Sequence, residues 1–364
     1  MRLSEVIAAL SDLAPLGLAE SWDNVGLVTG DRNAEVARAL FAIDLTQAVL
    51  DEAIAKRCEL VVCYHPPIFS GLKRITSDSL IYKAISHRIA LYAPHTALDV
   101  AAGGTNDVLA DIVGMGADRE ALKPAAATET TWKLVTFVPE EACEKVSRAL
   151  FEAGAGVIGK YSSCSFRSSG TGTFFGEEGA KPVLGKAGTL ETAPEIRLET
   201  VVPIARASDV VAALRASHPY EEPAFDLLKT ATLPGREHAG LGRVGAIAPV
   251  EKRTLIETIK KGLGVDKLLV AGSLEGTAKR VAVAAGSCGD MYKDALSKKV
   301  DVYLTGEMRH HDALAAGTRM TVVCALHSNS ERAALGVFAS RLKEKMAGFE
   351  TLVSEKDRDP FQIV

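Results

Sequence analysis

Short apolar runs, each closed by a polar side chain, recur in the first and last thirds of the chain, and stretches with helical spacing of apolar residues lie between them. In the first third the predicted strands are residues 38–43, 60–63 and 89–93. In the last third, predicted strands alternate with predicted helices: strands at 268–271, 280–285, 302–304 and 321–326, and helices near 252–263, 290–299 and 330–346. This alternation predicts an α/β fold with a mainly parallel sheet in each part.

Polar residues indicate where two of the predicted helices begin. Thr46 precedes a helix that places Leu50 and Ile54 on one face, so its hydroxyl is positioned to accept a hydrogen bond from a free amide of the first turn. Ser328 or Ser330 is expected to cap the last helix in the same way.

The middle of the chain follows a different order. Strands are predicted at 134–138, 197–203 and 224–230, and helices near 140–153 and 207–217. The Gly/Ser-rich stretch 154–179 is either a low-complexity linker or a glycine-rich hairpin, and its alternating aromatic residues favour the hairpin. The resulting β-α-β-β-α-β order is that of a ferredoxin-like module. The prediction is therefore one discontinuous α/β metal-binding domain in two halves, residues 1–129 and 236–364, interrupted by an inserted α+β module at residues 130–235.

Composition excludes several classes of protein. The 364 residues are 47% apolar and 24% charged, as in ordinary globular proteins, and the net charge of -4 provides no general attraction to nucleic acid. No apolar stretch is long enough for a membrane helix, and the first residues lack a secretory segment. Six cysteines without a C-x-x-C pair argue against a zinc ribbon or a disulfide framework. We expect a cytoplasmic protein.

Histidines and carboxylates directly follow three of the predicted strands. Since ligands gather beyond the carboxyl ends of parallel strands, we expect these side chains to meet. Histidine with carboxylate, and no paired thiolates, is the ligand set of hydrolytic zinc, iron, manganese or nickel sites. The sequence therefore predicts a site for one or two divalent metal ions, built from both ends of the chain by His65, His95, Asp99, His327 and Glu331. The alternative is that these histidines cap helices or satisfy polar groups of the core.

Four further residues are candidates for the same site. Asp44 follows strand 38–43 and is either a ligand near the same edge of the sheet or an acid that caps the next helix. Glu307 and His310 form an E-x-x-H pattern that His311 extends. These three are candidate catalytic residues that would orient ligands or transfer protons, and the alternative is a solvated helix start.

Five motifs in order along the chain resemble one known family: residues 21–27, 64–69, 94–99, 304–312 and 327–332. It is the NIF-three-like family of dinuclear metal-centre proteins, whose members often bear the name GTP cyclohydrolase type 2 homologue. The middle module resembles the CutA-like insert of the family's longer members. The resemblance implies metal ligands at His65, Asp99, His327 and Glu331, with His95 close by. It also implies a toroidal homohexamer whose metal sites face an inner cavity that admits a small molecule.

The resemblance also reveals a departure at Tyr64. Many members have two adjacent histidines where this chain has Tyr64 and His65. Because a neutral phenol is a poor ligand, the prediction is one well-held metal and a weaker or absent second metal, with Tyr64 donating a hydrogen bond to bound water or substrate. The alternative is that Tyr64 packs against the sheet.

Two functions from different classes fit the predicted metal site. The first is a metal-dependent hydrolase acting on a nucleotide or another small phosphorylated or cyclic compound. The second is a non-catalytic metal-binding protein, either a metal chaperone or a regulatory protein-interaction scaffold. The sequence does not separate them, because hydrolytic and storage sites use the same ligand types.

Overall fold

The computed structural model describes residues 1–124, 131–158, 161–180, 182–230 and 240–362. The chain divides into two compact units, one formed by Met1–Ala126 with Pro234–Val364 and the other by Ala127–Leu233. The boundaries predicted from the sequence, between 129 and 130 and between 235 and 236, lie outside the described residues. Both units are mixed α/β, and none of the helices described is long and apolar enough to cross a membrane.

The first part of the larger unit alternates strands and helices as the sequence predicts. Its strands are β1 (Gly26–Thr29), β2 (Arg38–Ala42), β3 (Leu60–Cys63), β4 (Ala90–Ala93) and the short β5 (Lys123–Pro124). Its helices are α1 (Leu3–Leu13), α2 (Gln47–Ala55), α3 (Leu80–Ser86), α4 (His95–Val100) and α5 (Thr105–Ile112). The predicted cap of α2 is confirmed, because the Thr46 hydroxyl accepts a hydrogen bond from the Val49 amide at 3.2 Å.

In its described residues, the smaller unit is a four-stranded sheet with two α-helices. In chain order its elements are β6 (Thr131–Val138), α6 (Cys143–Glu152), β7 (Ser165–Phe175), β8 (Leu190–Pro203), α7 (Ala207–Ser217) and β9 (Phe225–Lys229). The strand order is β7-β8-β6-β9, and all neighbours are antiparallel. The Gly/Ser-rich stretch supplies β7, which pairs with β8 from Ser165 opposite Thr200 to Phe175 opposite Leu190. The hairpin is confirmed, and β8 begins earlier than predicted because its first half pairs with β7.

The last part of the larger unit contains seven strands and four helices in the described residues. The strands are β10 (Gly240–Leu241), β11 (Arg243–Glu251), β12 (Leu269–Ala271), β13 (Thr277–Ala284), β14 (Val302–Thr305), β15 (Thr321–Cys324) and β16 (Glu350–Val353). The helices are α8 (Lys252–Leu263), α9 (Tyr292–Ser297), α10 (His310–Gly317) and α11 (His327–Lys345).

The predicted start of the last helix is wrong. The residue that precedes α11 is Leu326, so Ser328 and Ser330 lie inside the first turn instead of capping it. Their hydroxyls donate elsewhere, Ser328 to Asp359 at 2.7 Å and Ser330 to the carbonyl of His327 at 2.7 Å. The helix therefore begins at the histidine itself.

Ten of the strands described in the larger unit form two five-stranded sheets, and β5 pairs with β10 in a separate two-stranded sheet. In the first, of order β1-β4-β3-β2-β16, every pair is parallel except β1 with β4. In the second, of order β11-β13-β14-β15-β12, the central strands β13, β14 and β15 are parallel and both edges are antiparallel. The mainly parallel arrangement is confirmed in the first sheet, whereas the second is mixed, with two parallel and two antiparallel strand pairs.

The two parts exchange elements. Leu109 and Val113, at the end of α5, belong to the hydrophobic core of the second sheet. In the opposite direction, Phe338 and Leu342 of α11 belong to the core of the first sheet, and β16 extends that sheet beside β2. Because each core contains an element from the other end of the chain, the two sheets belong to one folded unit.

Buried polar contacts reinforce this exchange. The guanidinium of Arg243, which is fully buried, donates to both carboxylate oxygens of Asp107 at 2.9 Å and to the carbonyls of Gly240, Gly242 and Ala101. The buried Asn106 side chain donates to the carbonyl of Asp99 and accepts from the amide of Ala285, each at 2.9 Å. A buried charge is tolerated when it is fully paired. These contacts therefore fix the position of the two sheets relative to each other within the larger unit.

Candidate metal centre

Sharp turns between strand and helix place histidines at the carboxyl edges of both sheets. Helix α4 begins at His95, two residues after β4, and α11 begins at His327, three residues after β15. His95 has φ +33° and Leu326 has φ +70°, a left-handed backbone that non-glycine residues rarely adopt. His65 lies two residues after the end of β3. Strain of this kind is typical of functional sites.

Three side chains converge where the two edges meet. Nε2 of His65 lies 3.3 Å from one carboxylate oxygen of Glu331, and Nε2 of His327 lies 3.2 Å from the other. One ligand atom from each residue fits within 4.8 Å of the others. The side chain of Glu331 is only 3% exposed. The first and second halves of the chain therefore both contribute to one cluster.

Gly286 makes room for the buried carboxylate. It follows β13 with φ +67°, and a Cβ atom there would lie 2.7 Å from Oε1 of Glu331. A larger residue at this position would therefore be strained and would collide with the cluster. The sharp turn after β13 therefore leaves the space that the Glu331 side chain occupies.

Unpaired buried atoms indicate that the cluster fits a cation. Within the part of the chain that the structure describes, Nε2 of His65 and Oε2 of Glu331 are buried and face each other at 3.3 Å, yet neither atom makes an aligned hydrogen bond. Leaving such groups unpaired costs free energy, and a metal ion between them would satisfy both. Two imidazoles and one carboxylate are also the protein ligands of several catalytic zinc sites, which keep the fourth position open for water or substrate.

A carboxylate holds the outer nitrogen of each of these histidines. Nδ1 of His65 lies 2.9 Å from Asp44, and Nδ1 of His327 forms a close ion pair with Glu307. A carboxylate on Nδ1 fixes the ring orientation and leaves Nε2 for a metal. Asp44 pairs with His65, and Thr46 caps the helix in its place. A ligand role for Asp44 stays a prediction.

The charges of the cluster shift the pKa values of its members. Burial lowers the pKa of His65, but Asp44 and Glu331 outweigh it and raise this pKa to about 10. Glu331 is the main cause that raises the pKa of His327 to about 9. Burial raises the pKa of Glu331, yet the two imidazoles lower it overall. Protons therefore occupy the imidazoles of the free chain, and a metal has to displace them.

Asp99 lies in a different environment. The Tyr64 hydroxyl, which is fully buried, donates to the Asp99 carboxylate and lies 2.9 Å from the Thr105 hydroxyl. Burial and the charge of Glu331 raise the pKa of Asp99 to about 7. The phenol thus contacts Asp99 instead of the bound water or substrate expected from the sequence. Asp99 is not one of the three clustered ligands.

His95 forms a third pair of histidine and carboxylate. Its Nδ1 lies 2.8 Å from Asp23, whose other oxygen accepts hydrogen bonds from the amide and hydroxyl of Thr96. The ring centres of His95 and His65 are 5.3 Å apart, so His95 borders the cluster. Sequence reasoning missed Asp23, although it stands inside the motif at 21–27 and its acidic side chain could have indicated a partner for a histidine.

The structure separates the candidate catalytic residues. Glu307 reaches the cluster through His327. His310 and His311 are exposed at the start of α10, where their ring centres are 5.3 Å apart. Neither makes a hydrogen bond or an ion pair in the described ranges. Their catalytic role stays a prediction, as do the metal-ligand roles of the other residues.

Comparisons with known proteins cover nearly the whole chain. The family model Duf34/NIF3 (NGG1p interacting factor 3) matches residues 1–360. A GTP cyclohydrolase 1 type 2 homolog from Halalkalibacterium halodurans is 41% identical over 372 residues, covering 99% of this chain and 98% of that protein. The protein of the same name from Bacillus subtilis is 38% identical over 373 residues, with the same coverage.

Solved structures agree with this relationship. A Bacillus cereus protein related to NIF3 is 36% identical, with a TM-score of 0.70 over 100% of this chain and 99% of that one. A Staphylococcus aureus protein is 27% identical, with a TM-score of 0.80 over 100% of this chain and 99% of that one. The chain therefore belongs to the Duf34/NIF3 family.

Proposed function

We propose that this protein is a metal-dependent hydrolase that acts on a nucleotide or another small phosphorylated or cyclic compound. His65, His327 and Glu331 would hold a divalent ion. The observation that carries the proposal is the buried contact between Nε2 of His65 and Oε2 of Glu331, which face each other at 3.3 Å without forming an aligned hydrogen bond. The name of the relatives, GTP cyclohydrolase 1 type 2 homolog, supports a nucleotide as the substrate class.

The chemistry divides between the ion and the chain. A divalent ion in such a site lowers the pKa of water and polarises a carbonyl or phosphoryl oxygen. Asp44 and Glu307 keep both imidazoles oriented toward the centre. Glu307 is half exposed, so it is positioned to pass a proton between His327 and solvent. His310 and His311, on the same exposed segment, are further candidates for this transfer.

We propose a second, weaker metal position beside the first. Asp99 and His95 border it, which would complete a dinuclear centre. The support is their proximity, because His95 adjoins His65 and the charge of Glu331 acts on Asp99. The hydrogen bonds from Tyr64 and Thr105 occupy Asp99 and would weaken this position.

The smaller unit has its own proposed role. We propose that it is a CutA-like insert that gates the cavity or builds a homohexamer in the cytoplasm, since sequence reasoning finds no convincing ligand cluster in it. Excision of residues 130–235 with a short linker should leave a folded core with full metal content, because an insert whose ends lie close together can be removed. An insoluble or metal-free product would contradict these boundaries, and light scattering of both proteins would measure the assembly.

The proposed activity is tested with the purified protein loaded with zinc, iron or manganese. GTP, nucleotide esters and generic phosphodiesters are the substrates, with and without metal. We expect metal-dependent turnover that Glu331→Gln abolishes. Glu344→Gln, an exposed position on the same helix, is the matched control. Full metal content with no turnover of any substrate would favour the metal-binding scaffold instead.

A further inference from the structure

Two large aromatic side chains are exposed next to the proposed metal centre. Trp22 is 58% exposed and Phe69 is 59% exposed, and their ring centres are 5.7 Å apart. The Trp22 ring lies 6.0 Å from the ring of His95, and the Phe69 ring lies 6.1 Å from it. Single exposed apolar residues are common, but a contacting pair at the edge of a polar centre is a feature of binding surfaces.

Hydrogen bonds hold the two aromatic residues in place. The side chain of Asn24 donates to the carbonyl of Ile68 at 2.6 Å, which ties the segment of Trp22 to the segment of Phe69. Asp23, between Trp22 and Asn24, binds His95 at 2.8 Å. The pair is therefore fixed relative to His95 before any ligand arrives, so binding would cost little ordering entropy.

The spacing matches a ligand with a ring at one end and an acidic group at the other. From Trp22 the ring of His95 is 6.0 Å away, and from His95 the ring of His65 is a further 5.3 Å away. The exposed loop after Phe69 also carries Lys73 and Arg74. Neither forms an ion pair within the ranges that the structure describes, and their charge favours an anion.

We propose that Trp22 and Phe69 form a stacking platform for the planar nitrogen heterocycle of a nucleoside phosphate whose acidic end reaches the metal centre. This inference rests on the proposed function, because it names the residues that select the substrate of that site. Because the two rings contact each other, the heterocycle would stack on their exposed faces. Stacking on aromatic side chains tolerates any base, so the platform would select for a ring and not for one base.

Two ligands, one with the heterocyclic base and one without it, test the platform. Guanosine monophosphate and ribose 5-phosphate are titrated by calorimetry into metal-loaded protein. We expect the nucleotide to bind at least about tenfold more tightly. Phe69→Leu and Trp22→Leu should each weaken the nucleotide by roughly five- to hundredfold and leave ribose 5-phosphate unchanged. Phe361→Leu, which changes another exposed phenylalanine of the same unit, is the matched control.

Three outcomes would overturn the platform. The first is equal binding of both ligands by the wild type, and the second is equal weakening of both ligands in the variants. The third is a changed particle mass of the variants by light scattering, which would show that Trp22 and Phe69 form a contact between copies of the chain. Metal content and turnover are measured separately on the same samples. Ring-dependent binding without turnover would sustain the platform and contradict the hydrolase, so the two failures are distinguishable.

Discussion

The two sides of the metal centre, one at Glu331 and one at Asp99, start from the same sequence pattern and end in different states. Each carboxylate stands four residues after a histidine that begins a helix. On the first side, each oxygen of Glu331 faces an imidazole nitrogen, and the oxygen that faces His65 makes no aligned hydrogen bond. On the second, Asp99 accepts hydrogen bonds from the Tyr64 and Thr105 hydroxyls.

The difference shows that the neighbours of a carboxylate decide whether it is free for a cation. Glu331 is buried and Asp99 is partly buried, so each needs partners. Asp99 accepts hydrogen bonds from two hydroxyl groups. Glu331 contacts only two imidazoles, and the Nδ1 atom of each imidazole already pairs with another carboxylate. A metal would therefore relieve more unpaired polarity at Glu331 than at Asp99.

Removing a ligand on the Glu331 side should have the largest effect. His65→Ala and His327→Ala should each lower the affinity for divalent metal by more than about 100-fold, because each leaves only two of the three clustered ligands. Asp99→Ala should cost less. Metal analysis after dialysis measures this, with His311→Ala as the control. Full metal content in His327→Ala would disprove a site shared between the two sheets.

The protonated imidazoles predict a strong pH dependence on the same side. The pKa values of about 10 for His65 and about 9 for His327 mean that the free chain holds protons at neutral pH. Metal affinity should rise by about tenfold per pH unit for each proton displaced, up to these pKa values. In the metal-free chain the raised pKa values stabilise the fold below about pH 6.5, and this contribution is lost as pH rises through 9 to 10. Zinc titrations at pH 6, 7 and 8 measure the slope, and a flat profile would contradict it.

The carboxylates behind the histidines should have an intermediate effect. Asp44→Asn and Glu307→Gln should each weaken metal binding by about 10- to 100-fold, because the imidazoles lose the partners that orient them. Competition with a chelator measures the affinities, and Asp51→Asn on the exposed face of α2 serves as the control. Unchanged affinity in both variants would show that these pairs only support the fold.

Tyr64 should produce the smallest change and the sharpest test of the difference between the two sides. In Tyr64→His, Asp99 loses the phenol donor and a nitrogen ligand is added, so the second metal position should strengthen by a modest factor of about tenfold. Isothermal titration should then resolve two binding steps where the wild type shows one. Tyr64→Phe, which removes the donor without adding a ligand, separates the two contributions. Identical two-metal binding in wild type and Tyr64→His would show that Tyr64 does not weaken the metal position on the Asp99 side.

Some of the site could be predicted because local rules determine it. Short apolar runs predict buried parallel strands, and the side chains that follow such strands lie at one edge of the sheet. This reasoning brought His65, His327 and Glu331 together. It did not find the partners Asp23 and Asp44 as a set, since nothing in the local sequence indicates which histidine an acid will meet across 72 or 21 residues.

The sequence by itself determined the alternating architecture, the hairpin of the smaller unit and the positions of the histidines after their strands, because periodicity and turn chemistry act over a few residues. Only the tertiary structure decided that β16 joins the first sheet and that α5 packs in the core of the second sheet. It also decided that Asp107 pairs with Arg243, 136 residues away. The tertiary structure decided as well that the Tyr64 hydroxyl donates to Asp99, whereas Glu331 faces two imidazoles. Such pairings depend on which surfaces pack together, and many distant partners satisfy the same local pattern.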